Sequence, residues 1–223
     1  MANDTQGPIE VIRVAGGSGT VRVRAIPDLD TVTVEGARLV IDGSEATVEA
    51  GSSRVAMRVP EGVDLVLGTS SGRVEVIGRV GSVAIVTSSG KVSVDDAAAV
   101  DIRTSSGRVD VGAVSGDCRI VGGSGRVDVR RCGSAHVTTK SGRINLRDVH
   151  GLSQAHCASG RIELTMATAN DVDAETVSGR ITVSMPEGAN VRVDTPTRAS
   201  VAASGEHDCV VTARSGSGRV VVR

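Results

Sequence analysis

A short unit recurs along most of this chain at a nearly constant interval. The copies are Ser71-Gly72-Arg73-Val74, Ser89-Gly90-Lys91-Val92, Ser106-Gly107-Arg108-Val109, Ser124-Gly125-Arg126-Val127, Ser141-Gly142-Arg143-Ile144, Ser159-Gly160-Arg161-Ile162 and Ser178-Gly179-Arg180-Ile181. Successive glycines lie 18, 17, 18, 17, 18 and 19 residues apart, and a last copy, Ser217-Gly218-Arg219-Val220, nearly ends the chain. So short a period predicts a solenoid, because each unit buries its apolar face only by stacking on its neighbours.

Within each unit the apolar residues alternate. Val74 and Val76, Val109 and Val111, and Ile144 and Leu146 share one face after the glycine. Val83 and Ile85, Val100 and Ile102, Cys118 and Ile120, and Ala135 and Val137 share one before the next Ser-Gly. Period-2 alternation of β-branched residues with glycine at the corners specifies strand, and no stretch shows helical periodicity. The expected fold is all-β: a single-stranded parallel β-helix, or β-solenoid, with about 17–18 residues per rung, occupying 1–223 as one domain. Residues 1–62 read as an irregular β lead-in and cap, 63–185 as the regular repeats and 186–223 as closing strands. Two matched segments, Arg54 to Gly62 and Arg180 to Gly188, each close a strand with Pro-Glu-Gly, where proline cannot extend a ladder.

Phe, Tyr and Trp are absent from all 223 residues. A thin tube of stacked Val and Ile has no room for a ring, since overfilling a packed core costs about 1–3 kcal/mol. The same absence removes stacking platforms for sugars and single-stranded nucleic acid. Charge is nearly balanced, 25 basic against 26 acidic residues, so no global field draws the protein to nucleic acid, and no nucleic-acid partner is expected.

The position after each glycine forms an outward column of cations: Arg73, Lys91, Arg108, Arg126, Arg143, Arg161 and Arg180. Two residues on, the same face carries Glu75, Ser93, Asp110, Asp128, Asn145, Glu163 and Thr182. Stacked like charges repel by roughly 1 kcal/mol in water, and arginine leaning across to the acids offsets this. Four acids against seven cations leave a surplus of three. The column reads either as a self-neutralising solvated ladder or as a candidate binding stripe for anionic lipid or polysaccharide.

Other chemistry is sparse. Cys118, Cys132, Cys157 and Cys209 form no C-x-x-C and fall in different columns, so they read as small buried thiols. His136, His150, His156 and His207 show no ligand spacing, and no metal or cofactor is expected. The Thr-Ser-Ser corners read as turn-holding side chains. Asp95-Asp96, or Asp171 with Asp173, are the only carboxylate pairs worth weighing for glycoside cleavage, and neither comes with aromatic subsites. The expectation is a protein that is not an enzyme. The N-terminus shows no secretory pattern and no apolar run reaches 18 residues, which points to a cytoplasmic protein; a membrane contact would be peripheral, without an anchor.

At Ser106-Gly107-Arg108-Val109-Asp110-Val111 and Val59-Pro60-Glu61-Gly62 the sequence resembles the bacterial DUF4097 family of adhesin-like, toast-rack β-repeat domains. That family repeats Ser-Gly-Asp/Glu-Val/Ile-x-Val, often after a V-P-E-G strand end; here Arg or Lys replaces its usual acid. The resemblance implies a right-handed solenoid, a hand the sequence itself leaves open, and a context of envelope-stress and membrane-associated regulation. It brings no catalytic residues. The function expected is a structural or interaction scaffold, meeting a protein partner or further copies of itself through the solenoid ends, with anion binding by the arginine column as the alternative.

Overall fold

The computed structural model describes residues 9–194 and 208–223. The elements in chain order are β1 (Val11–Gly16), β2 (Thr20–Ile26), β3 (Thr33–Glu35), β4 (Arg38–Asp42), β5 (Glu45–Ala50), β6 (Val55–Pro60), β7 (Asp64–Val149), β8 (Ser153–Met166), β9 (Val172–Ser184), β10 (Val191–Asp194) and β11 (Cys209–Val222). All are strands. The 86 residues of β7 run unbroken because successive coils pass from one strand face to the next through the Ser-Gly corner without leaving the ladder. The result is the β-solenoid that the repeat predicts. Part of the expected closing strands of 186–223, at 200–203, lies outside the described residues.

Pairing along the array is parallel and column-true. Gly142 faces Gly160 and Arg143 faces Arg161, and those in turn face Gly179 and Arg180. The late copy rejoins the column, with Gly218 opposite Gly179 and Arg219 opposite Arg180 although 39 residues separate them. Inside, the apolar columns meet as expected: Ile85, Ile102, Ile120, Val137 and Ala174 are 0% exposed, as are Ile144, Leu146 and Ile181. At about 25 cal/mol per Å² of apolar area, each such side chain contributes roughly 1.5–3 kcal/mol.

The glycine corner has a steric cause. At each repeat glycine from Gly72 to Gly218 the backbone φ lies between +124° and +153°. A Cβ there would also strike the carbonyl oxygen of the glycine one coil below, at 1.9 Å for both Gly142 and Gly160. Only glycine turns the chain this sharply while letting the coils stack at strand spacing.

Both ends depart from simple chain order. β1 pairs with β5 on one side and β7 on the other, and β2 likewise lies between β6 and β7. The first coil is thus covered by residues that follow it. It also extends the repeat columns, since Val21 faces Val74 and Val55 faces Val21. Two short antiparallel strands, β4 on β5 and β3 on β6, finish that end. At the other end β11 inserts between β9 and β10. Short terminal strands are a recognised way of blunting a sheet edge. No helix among the described residues is long and apolar enough to cross a membrane.

Candidate functional site

Each cation of the outward column is the first residue after the glycine corner, where the chain re-enters the ladder. The following Val or Ile points inward, so alternation sends the Arg or Lys side chain out. All seven expected cations, Arg73, Lys91, Arg108, Arg126, Arg143, Arg161 and Arg180, stand in this position. Arg219 continues the row beside Arg180; its own Ser217-Gly218 marks it in the sequence, although the expected column stops at Arg180.

The acids two residues on are engaged as charge balance requires, but unevenly. Arg73 reaches Glu75 at 3.5 Å, Arg126 reaches Asp128 at 4.0 Å and Arg161 reaches Glu163 at 3.4 Å. Lys91 crosses to Asp110 of the next coil at 3.2 Å, taking the carboxylate nearest in sequence to Arg108. Glu75 is shared with Arg22 of β2, 2.7 Å away, and the Arg22 hydrogen bond is the main cause of a carboxyl pKa below its ordinary value. Arg143, Arg180 and Arg219 are followed at this distance by Asn145, Thr182 and Val221. Among the described residues, Arg108, Arg143, Arg180 and Arg219 therefore have no carboxylate within ion-pair range.

These cations border a surface groove of about 960 Å³. Its floor is the glycine backbone from Gly107 to Gly218, where the missing side chains leave a trough, and its lining among the described residues includes Arg108, Arg126, Arg143, Arg161, Arg180 and Arg219 but no acidic residue. The acids lie across the arginine row, in a neighbouring depression with Asp110, Asp128 and Glu163.

The remaining candidates have local structural uses. The corner threonines point inward: Thr87 Oγ1 accepts from Thr69 Oγ1 at 3.1 Å and donates to the Ser89 carbonyl at 3.2 Å, while Thr104 Oγ1 donates to the Ser106 carbonyl at 3.1 Å. Cys157 occupies the same column and donates its thiol to the Ser159 carbonyl. All four cysteines are free and buried; burial pushes the Cys132 thiol up to about 12 and that of Cys118 up as well. His136 Nδ1 lies 2.7 Å from Gln154 Oε1, and His156 lies between Asp173 and Glu175 at 3.7 and 3.5 Å. His207 lies outside the described residues. Asp171 Oδ1 accepts from the Val210 amide at 2.8 Å. Asp95 and Asp96 border a shallow depression with Arg130 and Arg131.

The repeated Ser-Gly corner and the two Pro-Glu-Gly strand ends agree with a family comparison: the model of Toastrack DUF4097 matches residues 52–206, more than half of the chain. The chain belongs to the Toastrack DUF4097 family. No curated protein matches this Toastrack chain. One solved structure similar to it is described as a putative cell adhesion protein from Clostridium sporogenes; it is 10% identical, the match covers 97% of this chain and 93% of that one, and the TM-score is 0.25. The Toastrack match spans residues 52–206, leaving β1 to β5 and β11 outside it.

Proposed function

We propose that this Toastrack chain is a non-enzymatic interaction scaffold that presents long, rigid faces to protein partners or to further copies of itself. The supporting observation is the register. From Ser141 to Arg219 equivalent residues stand one above another, so an outward column repeats its chemistry every ~4.8 Å. A partner that reads one coil finds the same contact on the next. Of the carboxylates weighed for glycoside cleavage, Asp171 accepts from the Val210 amide and Asp173 faces His156, local uses that favour a binding role over a catalytic one. A link to envelope-stress regulation belongs to this proposal, as does a site of action in the cytoplasm.

Self-association through the C-terminal end is the mode we favour. Among the described residues, β10 covers only Cys209–Thr212 of β11, and the strand continues to Val222. An uncovered run of backbone donors and acceptors is a template for another strand. Light scattering of the full chain against concentration tests this. The mass is expected to rise with concentration and Val221→Lys to suppress the rise; a monomer at every concentration would overturn it.

A further inference from the structure

The groove beside the glycine column carries charge that the fold does not use. Of its six lining arginines, two are paired with acids in their own coils, Arg126 and Arg161, and Arg108, Arg143, Arg180 and Arg219 are not, among the described residues. The unpaired four have plain causes: Lys91 takes Asp110 from Arg108 in the structure, and residues 145, 182 and 221 are uncharged. The surplus is therefore not smeared over the surface. It is gathered along one trough that spans six coils, about 24 Å at the ~4.8 Å strand spacing. Arg180 and Arg219 are directly opposite in the ladder, where like charges repel by roughly 1 kcal/mol even in water. The backbone holds this row together regardless, so the row is preorganised for a ligand whose own charge repeats along a line.

We propose that this groove binds a linear phosphate polymer, inorganic polyphosphate, laid lengthwise along the solenoid. Guanidinium groups match phosphate oxygens in bidentate geometry. The chain contains no Phe, Tyr or Trp, so neither a sugar ring nor a base has the usual aromatic stacking platform. The glycine floor carries side-chain hydroxyls at one end only, at Ser178 and Ser217, so it offers few groups to fix a sugar's hydroxyls, yet it admits an unbranched chain close to the backbone. A flat bilayer cannot enter the trough to bring headgroups onto successive arginines. This proposal goes beyond the scaffold reading and is tested on the monomer, so the two fail separately.

The test is a titration of fluorescently labelled long-chain polyphosphate with the full chain at low and at physiological salt. Binding is expected, weakening steeply as salt rises because phosphate contacts release counterions. The triple variant Arg108→Gln, Arg143→Gln and Arg180→Gln is expected to weaken binding about tenfold or more, the sum of three exposed charge contacts. The outward pair Arg103→Gln and Arg119→Gln, away from the groove, is expected to leave it within twofold. Circular dichroism melting checks that the triple variant folds, as removing mutually repelling surface cations favours. Absence of polyphosphate binding, equal loss in both variants, or equal competition by orthophosphate at matched phosphate concentration would overturn the proposal. So would tighter binding of heparin or of phosphatidylglycerol vesicles, which would assign the row to a polysaccharide or a membrane surface.

Discussion

Substituting Gly142 by alanine tests whether the glycine column is what permits the coils to stack. At Gly142 φ is +124°, and an added Cβ would lie 1.9 Å from the Gly125 carbonyl oxygen and 2.9 Å from its carbon. Two costs follow. Holding an L residue at positive φ costs about 1–2 kcal/mol. Relieving the overlap requires moving a carbonyl already tied into the ladder, and overpacking of this kind costs roughly 1–3 kcal/mol more. The expected loss is therefore about 2–5 kcal/mol. Two other glycines separate the terms. Gly43 has φ +59° with nothing within 4 Å of its would-be Cβ, so Gly43→Ala bears the conformational cost alone, about 1–2 kcal/mol. Gly51 has open space and no positive φ, so Gly51→Ala is expected to be neutral or stabilising by up to about 1 kcal/mol. Urea denaturation followed by far-ultraviolet circular dichroism measures all three. The m-value of Gly142→Ala is expected to fall as well, since a broken coil contact uncouples the two halves of a nearest-neighbour array. A Gly142→Ala loss no greater than that of Gly43→Ala would refute the steric argument.

Other outcomes follow from single contacts. Thr176 Oγ1 is buried with no hydrogen-bond partner among the described residues, so Thr176→Val is expected to be neutral or stabilising, whereas Thr87→Val, which breaks the Thr69 and Ser89 bonds, loses about 1 kcal/mol in the same denaturation assay. The Arg22 and Arg73 contacts hold the Glu75 pKa below its ordinary 4.5; because the folded value is the lower one, their stabilisation is present above pH 4.5 and fades as pH falls through the folded value. Carboxyl NMR titration is expected to show Glu75 moving up toward 4.5 in Arg22→Gln, and no movement would count against the pairing. Cys132, 0% exposed and with its thiol pushed up to about 12, is expected to resist iodoacetamide in the folded chain and to react in urea, read by mass spectrometry.

The middle of this fold was legible in the sequence because its constraints are local. A glycine that must turn at positive φ, a Val that must face inward and an Arg that must face outward recur at fixed offsets. Three of the unpaired arginines, Arg143, Arg180 and Arg219, were equally visible, since an uncharged residue two places on is a matter of spelling; Arg108 was not, because Asp110 follows it and the structure gives that acid to Lys91. The ends were harder. Ser18-Gly19-Thr20-Val21 is a weak copy of the repeat, with Thr where Arg stands elsewhere, and it reads as a turn between strands until the structure sets Thr20 against Arg73. Nor does spacing reveal that β1 and β2 lie inside β5 and β6. Strand order is set by which apolar edges meet, and a Val-x-Val segment fits equally well against any coil. The groove is a property of stacking, formed only when six glycines align, so no single motif announces it.

The placement of β11 between β9 and β10 has a consequence for how the molecule is made. Among the described residues β10 is docked on β11 alone, so β10 has no seat until β11 is in place. On the ribosome, coils from β7 to β9 can close as they emerge, each upon the last. β10 cannot. At 5–20 residues per second the stretch from Ser184 to Val222 takes roughly 2–8 s to make, during which the upper edge of β9 waits uncovered. Closure of this end of the stack thus waits on β11, which follows its own covering strand in the chain.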